Sequence, residues 1–137
     1  MLQLLLGHLV GDYLLQTSWM AVNKSKKTLQ GWMAAIVHTL IYTLSICTLM
    51  WNFNPLWILI VFLSHVFIDH YSTATWYLKH IKGMEKPRDT VTVIGYYTQY
   101  ELPANTPTYN SLYWIIYVVV DNTMHLLLMV GAYKLLF

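Results

Sequence analysis

The stretch Gly7-His-Leu-Val-Gly-Asp-Tyr-Leu-Leu-Gln16 decides how the chain is read, because it sets His8, Asp12 and Gln16 at four-residue intervals inside an otherwise apolar run. Residues four apart on a helix rise about 6 Å and stay on one face, so the three side chains form a polar stripe. The run around them, Leu2 to Val22, has the roughly 20 residues that cross a bilayer as a helix. An imidazole, a carboxylate and an amide on one side of such a helix require a polar partner elsewhere in the chain.

Three further runs share that length and character: Gly31 to Trp51, Pro55 to Tyr77 and Ser111 to Leu136. With 57% hydrophobic and 10% charged residues over 137 positions, the chain is far from the soluble balance of about a quarter charged. The expected fold is all-α, a single domain over residues 1–137 forming a four-helix transmembrane bundle. Its spans are 2–22, 31–51, 55–77 and 111–136, with a long loop over 78–110 between helices 3 and 4. The first run has no basic segment before it, and His8 and Asp12 interrupt it, so it is expected to stay in the mature protein rather than act as a secretory signal.

Short connectors make the first three spans antiparallel neighbours. "NKSKKTLQG" joins spans one and two; "NFNP", with Pro55 suited to a first helical turn, joins spans two and three. Lys24, Lys26 and Lys27 lie in the first connector, and Lys79, Lys82, Lys86 and Arg88 follow span three. Excess lysine and arginine marks cytoplasmic loops, which places both termini outside. In the long connection, "TVTVIGYYTQYELPANTPTYN" is rich in β-branched and aromatic residues and is expected as a short hairpin or an interfacial segment. Cys47 is the single cysteine, which excludes an intramolecular disulfide and a thiolate zinc cluster.

The polar stripe recurs. "HVFID" in span three carries His65 and Asp69, and "DNTMH" in span four carries Asp121 and His125 in the opposite order, as antiparallel helices need for like residues to meet at like depth. His38 joins them from span two. By helical rise, His8, Asp12, His38, His65, Asp69, Asp121 and His125 all fall in the middle of the membrane. Every lysine and arginine lies in a loop or, for Lys134, at the last turn, so protonated histidine is the one cation expected among the carboxylates. A buried carboxylate without compensation costs several kcal/mol. Four imidazoles and three carboxylates make a nitrogen and oxygen donor set for divalent zinc, with manganese or iron as alternatives, as one ion or a pair. The same residues also suit a proton or ion relay, or a structural polar network that fixes helix register. His70, one position past Asp69, is expected in a supporting or interfacial place, and Gln16 as a group that orients a ligand or substrate.

These motifs resemble an uncharacterised family of small integral membrane proteins of bacteria and phages, whose first helix reads His-Leu-x-Gly-Asp-x-x-Leu-Gln. That family is distantly similar to inner-membrane metal-dependent hydrolases. The resemblance covers the chain outside 81–110 and departs from the pattern at Asn122, where Asp-Gln-x-x-His is the expected motif. It implies a bacterial inner-membrane hydrolase and leaves the substrate open. Read with the donor set, the expected function is metal-assisted hydrolysis of an ester or phosphoester in a lipid or other amphiphile, with membrane lipid as its surroundings; the alternatives are a relay or transport protein, or a non-catalytic metal-binding membrane protein. Asp12 is the expected proton acceptor, with Gln16 beside it. Neither a Ser-His nor a Cys-His nucleophile arrangement is present, and the few, divided basic residues exclude a nucleic-acid surface.

Overall fold

A computed structural model describes residues 1–86, 90–94, 97–101 and 107–137. Its elements are α1 (Leu2–Leu9), a π-helical turn (Val10–Leu14), α2 (Ser18–Asn23), α3 (Leu29–Met50), α4 (Pro55–His70), α5 (Thr73–His80), β1 (Thr90–Ile94), β2 (Tyr97–Glu101) and α6 (Pro107–Leu136). They form two compact units, Met1–Thr73 with Asn122–Phe137 and Ala74–Asp121.

Among the described residues, α3 and the Ser111–Leu136 part of α6 are each long and apolar enough to cross a membrane. These match spans two and four to within two residues at each end. The two other expected spans are not continuous. Span one stops at the π-helical turn, where Leu15 N–H bonds to the Val10 carbonyl at 3.0 Å. The chain then leaves the helix and restarts as α2, with Thr17 in extended conformation accepting from Met20 N–H. Span three stops at Tyr71 and Ser72, the latter at φ 50°, so α4 and α5 reach crossing length and hydropathy only when taken together. In both cases a run of apolar residues predicted crossing length and was silent about local backbone geometry.

In the first unit, α1 and the π-helical turn lie against α3 with very close backbone approach. A Cβ at Gly7 would sit 3.1 Å from Ile46 Cα, and one at Gly11 3.0 Å from Tyr42 Cα and 2.7 Å from Tyr42 Cδ2. Gly7 and Gly11 are thus a small-xxx-small pair of the kind that lets membrane helices touch. Thr28 and Asn54 cap α3 and α4. Leu4, Tyr42, Ile46, Trp57, Val61 and Met129 form the apolar core. Polarity is inverted relative to a water-soluble domain: His8 and His38 are 0% exposed, whereas Leu14 is 76% and Leu127 67% exposed.

In the second unit, β1 and β2 pair antiparallel with Ile94 opposite Tyr97; these two strands are the described part of the segment expected as a hairpin or an interfacial stretch that precedes α6. The Lys86 ammonium lies 5.6 Å over the Trp114 ring. Arg88, assigned above to the second basic loop, lies outside the described residues.

Candidate metal centre

Asp12 comes from the π-helical turn, His38 from α3, and His65 and Asp69 from successive turns of α4. All four are buried. One donor atom from each lies within 4.8 Å of all the others. Five of the six donor-to-donor distances are known individually: His38 Nε2 to His65 Nε2, 3.0 Å; Asp12 Oδ1 to His38 Nε2, 3.1 Å, and to His65 Nε2, 3.3 Å; Asp69 Oδ2 to each of the same nitrogens, 3.2 Å.

Hydrogen bonding alone does not account for this arrangement. Each Nε2 carries at most one hydrogen, yet each stands within 3.3 Å of two carboxylate oxygens and the other imidazole nitrogen. The edge of a tetrahedron of nitrogen and oxygen ligands about 2.0 to 2.1 Å from a zinc ion is about 3.3 Å. The quartet fits such an ion in donor type, number and spacing.

Each carboxylate turns its other oxygen to an outer histidine. Asp12 Oδ2 is 3.3 Å from His8 Nδ1, and Asp69 Oδ1 is 3.4 Å from His125 Nε2. His8 is further fixed by Asn122 on α6, whose Oδ1 accepts from His8 Nε2 at 2.5 Å, and by the Tyr42 hydroxyl, 2.9 Å from His8 Nδ1. Asn122 Nδ2 in turn donates to the Tyr13 hydroxyl. Tyr42 stacks on His65 at 3.6 Å between ring centroids, and it lies so close to Gly11 that a Cβ there would come within 2.7 Å of its ring. Asp121 lies one helical turn before His125 on α6. Gln16 falls in the break before α2; its Oε1 is buried and has no hydrogen-bond partner among the described residues.

One expectation about charge is overturned. The Lys24 ammonium, expected in a cytoplasmic loop, donates to Asp69 Oδ2 at 2.7 Å and stands 3.5 Å from His38 Nε2. Protonated histidine is therefore not the sole cation within reach of the carboxylates. The reason is reach: Lys24 caps the C-terminus of α2, and its four-carbon stem carries the charge inward from a loop position. His70 stabilises that placement from the neighbouring position to Asp69. Its Nδ1 donates to the Lys24 carbonyl at 2.9 Å, while its ring lies 3.7 Å from that of Trp32.

A family model described as "Protein of unknown function (DUF3307)" matches residues 1–137, and the chain belongs to that family. No curated protein and no solved structure matches the chain.

Proposed function

We propose that this DUF3307 protein is a membrane-embedded metal-dependent hydrolase of a lipid or other amphiphilic ester or phosphoester. The mutual spacing of Asp12, His38, His65 and Asp69 carries the reading. In it, α1 with α2 and α4 with α5 serve as two broken spans beside α3 and α6, giving four crossings, both termini outside and the basic loops in the cytoplasm of a bacterial inner membrane.

His38, His65, Asp12 and Asp69 would hold a divalent ion, zinc best suiting two imidazoles and two carboxylates; manganese or iron would occupy a more open set. His8 and His125 stand behind these four donors, each against the outward carboxylate oxygen of Asp12 or Asp69. Such an ion supplies Lewis acidity and makes hydroxide accessible near neutral pH. The protein's own groups do the rest. Asp12 Oδ2, turned away from the quartet, takes the proton that water gives up as it attacks the ester or phosphoester, and returns it to the leaving oxygen, with His8 Nδ1 at 3.3 Å as the next acceptor in line. Asn122 and Tyr42 hold that imidazole in place. Gln16 Oε1, buried beside the break, orients the substrate. Tyr13 and Leu14, 50% and 76% exposed, offer an amphiphile a polar group next to an apolar surface.

The test is elemental analysis of detergent-purified protein, followed by hydrolysis of fluorogenic ester and phosphoester lipids in proteoliposomes by wild type and Asp12→Asn. Metal with turnover lost in the variant supports the reading. Metal without turnover of either class reduces it to a non-catalytic metal-binding protein. Absence of metal favours an ion relay, the reading to which the Lys24–Asp69 ion pair lends support.

A further inference from the structure

We infer that Lys24 is a built-in second cation of the metal centre, so that the site holds one divalent ion per chain and not two. The inference rests on the metal reading above and concerns how the site is neutralised. Asp12 and Asp69 bring two negative charges into the buried quartet, and buried charge of this kind has to be matched. One divalent ion matches them outright. With the Lys24 ammonium 2.7 Å from Asp69 Oδ2, one ion already leaves a single positive charge in excess, and a second ion would leave three.

The structure commits the surrounding loop to this placement. Lys24 is gripped at both ends by adjacent residues of α4: its ammonium by Asp69 and its carbonyl by His70 Nδ1. Lys27 donates to the His70 carbonyl at 2.8 Å, at the negative end of α4, and lies 4.1 Å over the Tyr71 ring. Lys26 donates to Asn23 Oδ1, and its carbonyl occupies the space above Gly31, where a Cβ would come within 2.0 Å of it. A loop whose lysines served only to mark the cytoplasmic side would leave all three ammonium groups in water. Lys26 and Lys27 do remain exposed, but Lys24, its side chain 16% exposed, is delivered to a carboxylate oxygen that also faces His38 and His65.

The test uses the full-length protein in detergent, loaded with zinc and freed of excess, with the metal-to-protein ratio from elemental analysis and affinity from competition with a chromogenic chelator. Wild type and Lys24→Arg are expected to hold one ion. Lys24→Met, having lost a positive charge beside the ligands, is expected to bind zinc about tenfold or more tightly, or to take up a second ion. Two tightly held ions in wild type would overturn the inference, and this measurement does not depend on the variant folding. So would one ion in both wild type and Lys24→Met with equal affinity, which would leave the metal reading intact. No zinc in any of the three proteins would overturn both.

Discussion

His38 and His65 present their Nε2 atoms to each other at 3.0 Å, with Asp12 Oδ1 and Asp69 Oδ2 close to both. Two neutral imidazoles facing this way share at most one hydrogen usefully, whereas a cation between them uses both lone pairs. Protein purified without chelators is therefore expected to contain at least one transition metal per chain by mass spectrometry. His38→Ala and His65→Ala should each bring that content close to zero. Stoichiometric metal in both variants would move the centre away from these residues.

Metal binding should also contribute to stability, because a ligand bound only by the folded state adds free energy by mass action, about 4 kcal/mol at a thousandfold excess over Kd. Chelation is expected to lower the melting temperature in detergent. Asp69→Asn should blunt that response, since it removes both a ligand and the partner of Lys24. Glu85→Gln, at an exposed position, should respond as wild type does. A melt indifferent to chelator, once metal loss is confirmed, would point to a structural polar network.

Gly11 and Gly131 make opposite predictions for the same substitution. At Gly11 a Cβ meets the Tyr42 backbone at 3.0 Å, so Gly11→Ala should destabilise by about 1 to 3 kcal/mol. It should also weaken metal binding, because Tyr42 stacks on His65. A Cβ at Gly131 meets nothing within 4 Å, and Gly131→Ala should be neutral or stabilising by up to about 1 kcal/mol. Equal melting temperatures for the two variants would mean that the close approach of the first helix to α3 is wrong.

Asn122 stands where the resemblance calls for glutamine, and its Oδ1 accepts from His8 Nε2. Asn122→Leu leaves that buried ring nitrogen without its acceptor, a loss of about 1 to 3 kcal/mol. Asn122→Gln restores an amide and should keep most of the stability. If thermal melts show both variants equally damaged, packing around Asn122 matters more than its hydrogen bond.

The charge asymmetry sets the expected orientation. In a Cys47→Ser background, which removes a buried thiol, cysteine at Lys26 or Lys86 should resist an impermeant maleimide in intact cells and react after permeabilisation. Labelling of both in intact cells would reverse the orientation.

The gathering of the His and Asp side chains was more legible in the sequence than the framework that holds them. The i to i+4 spacing of His65 with Asp69, and of His8 with Asp12, brought these side chains together because helical periodicity is local. Apolar composition located α3 and the Ser111–Leu136 part of α6, the helices long and apolar enough to cross a membrane, for the same reason. It missed the breaks at Leu15–Thr17 and Tyr71–Ser72, since a broken helix and a straight one have the same mean hydropathy. The signals were present as single residues: Thr17 as a cap, and Gly7 with Gly11 as a contact pair. Lys24 was invisible for another reason. Its role depends on a long side chain reaching α4 from a loop, a relation between residues 45 positions apart that no local pattern encodes.

The two outer histidines come from opposite ends of the chain: His8 from α1, where its companion is Asp12, and His125 from α6, which also supplies the Asn122 that holds His8. The site therefore works as a clasp between the beginning and the end of the polypeptide, fastened by side chains and not by the peptide linkage between them. Cutting the backbone in the stretch between α5 and α6 would leave Asp12, His38, His65 and Asp69 in one piece and, in the other, the Asn122 and His125 that face His8 and Asp69. Two separately expressed fragments, 1–86 and 107–137, should recover each other in the membrane, and metal should strengthen their association.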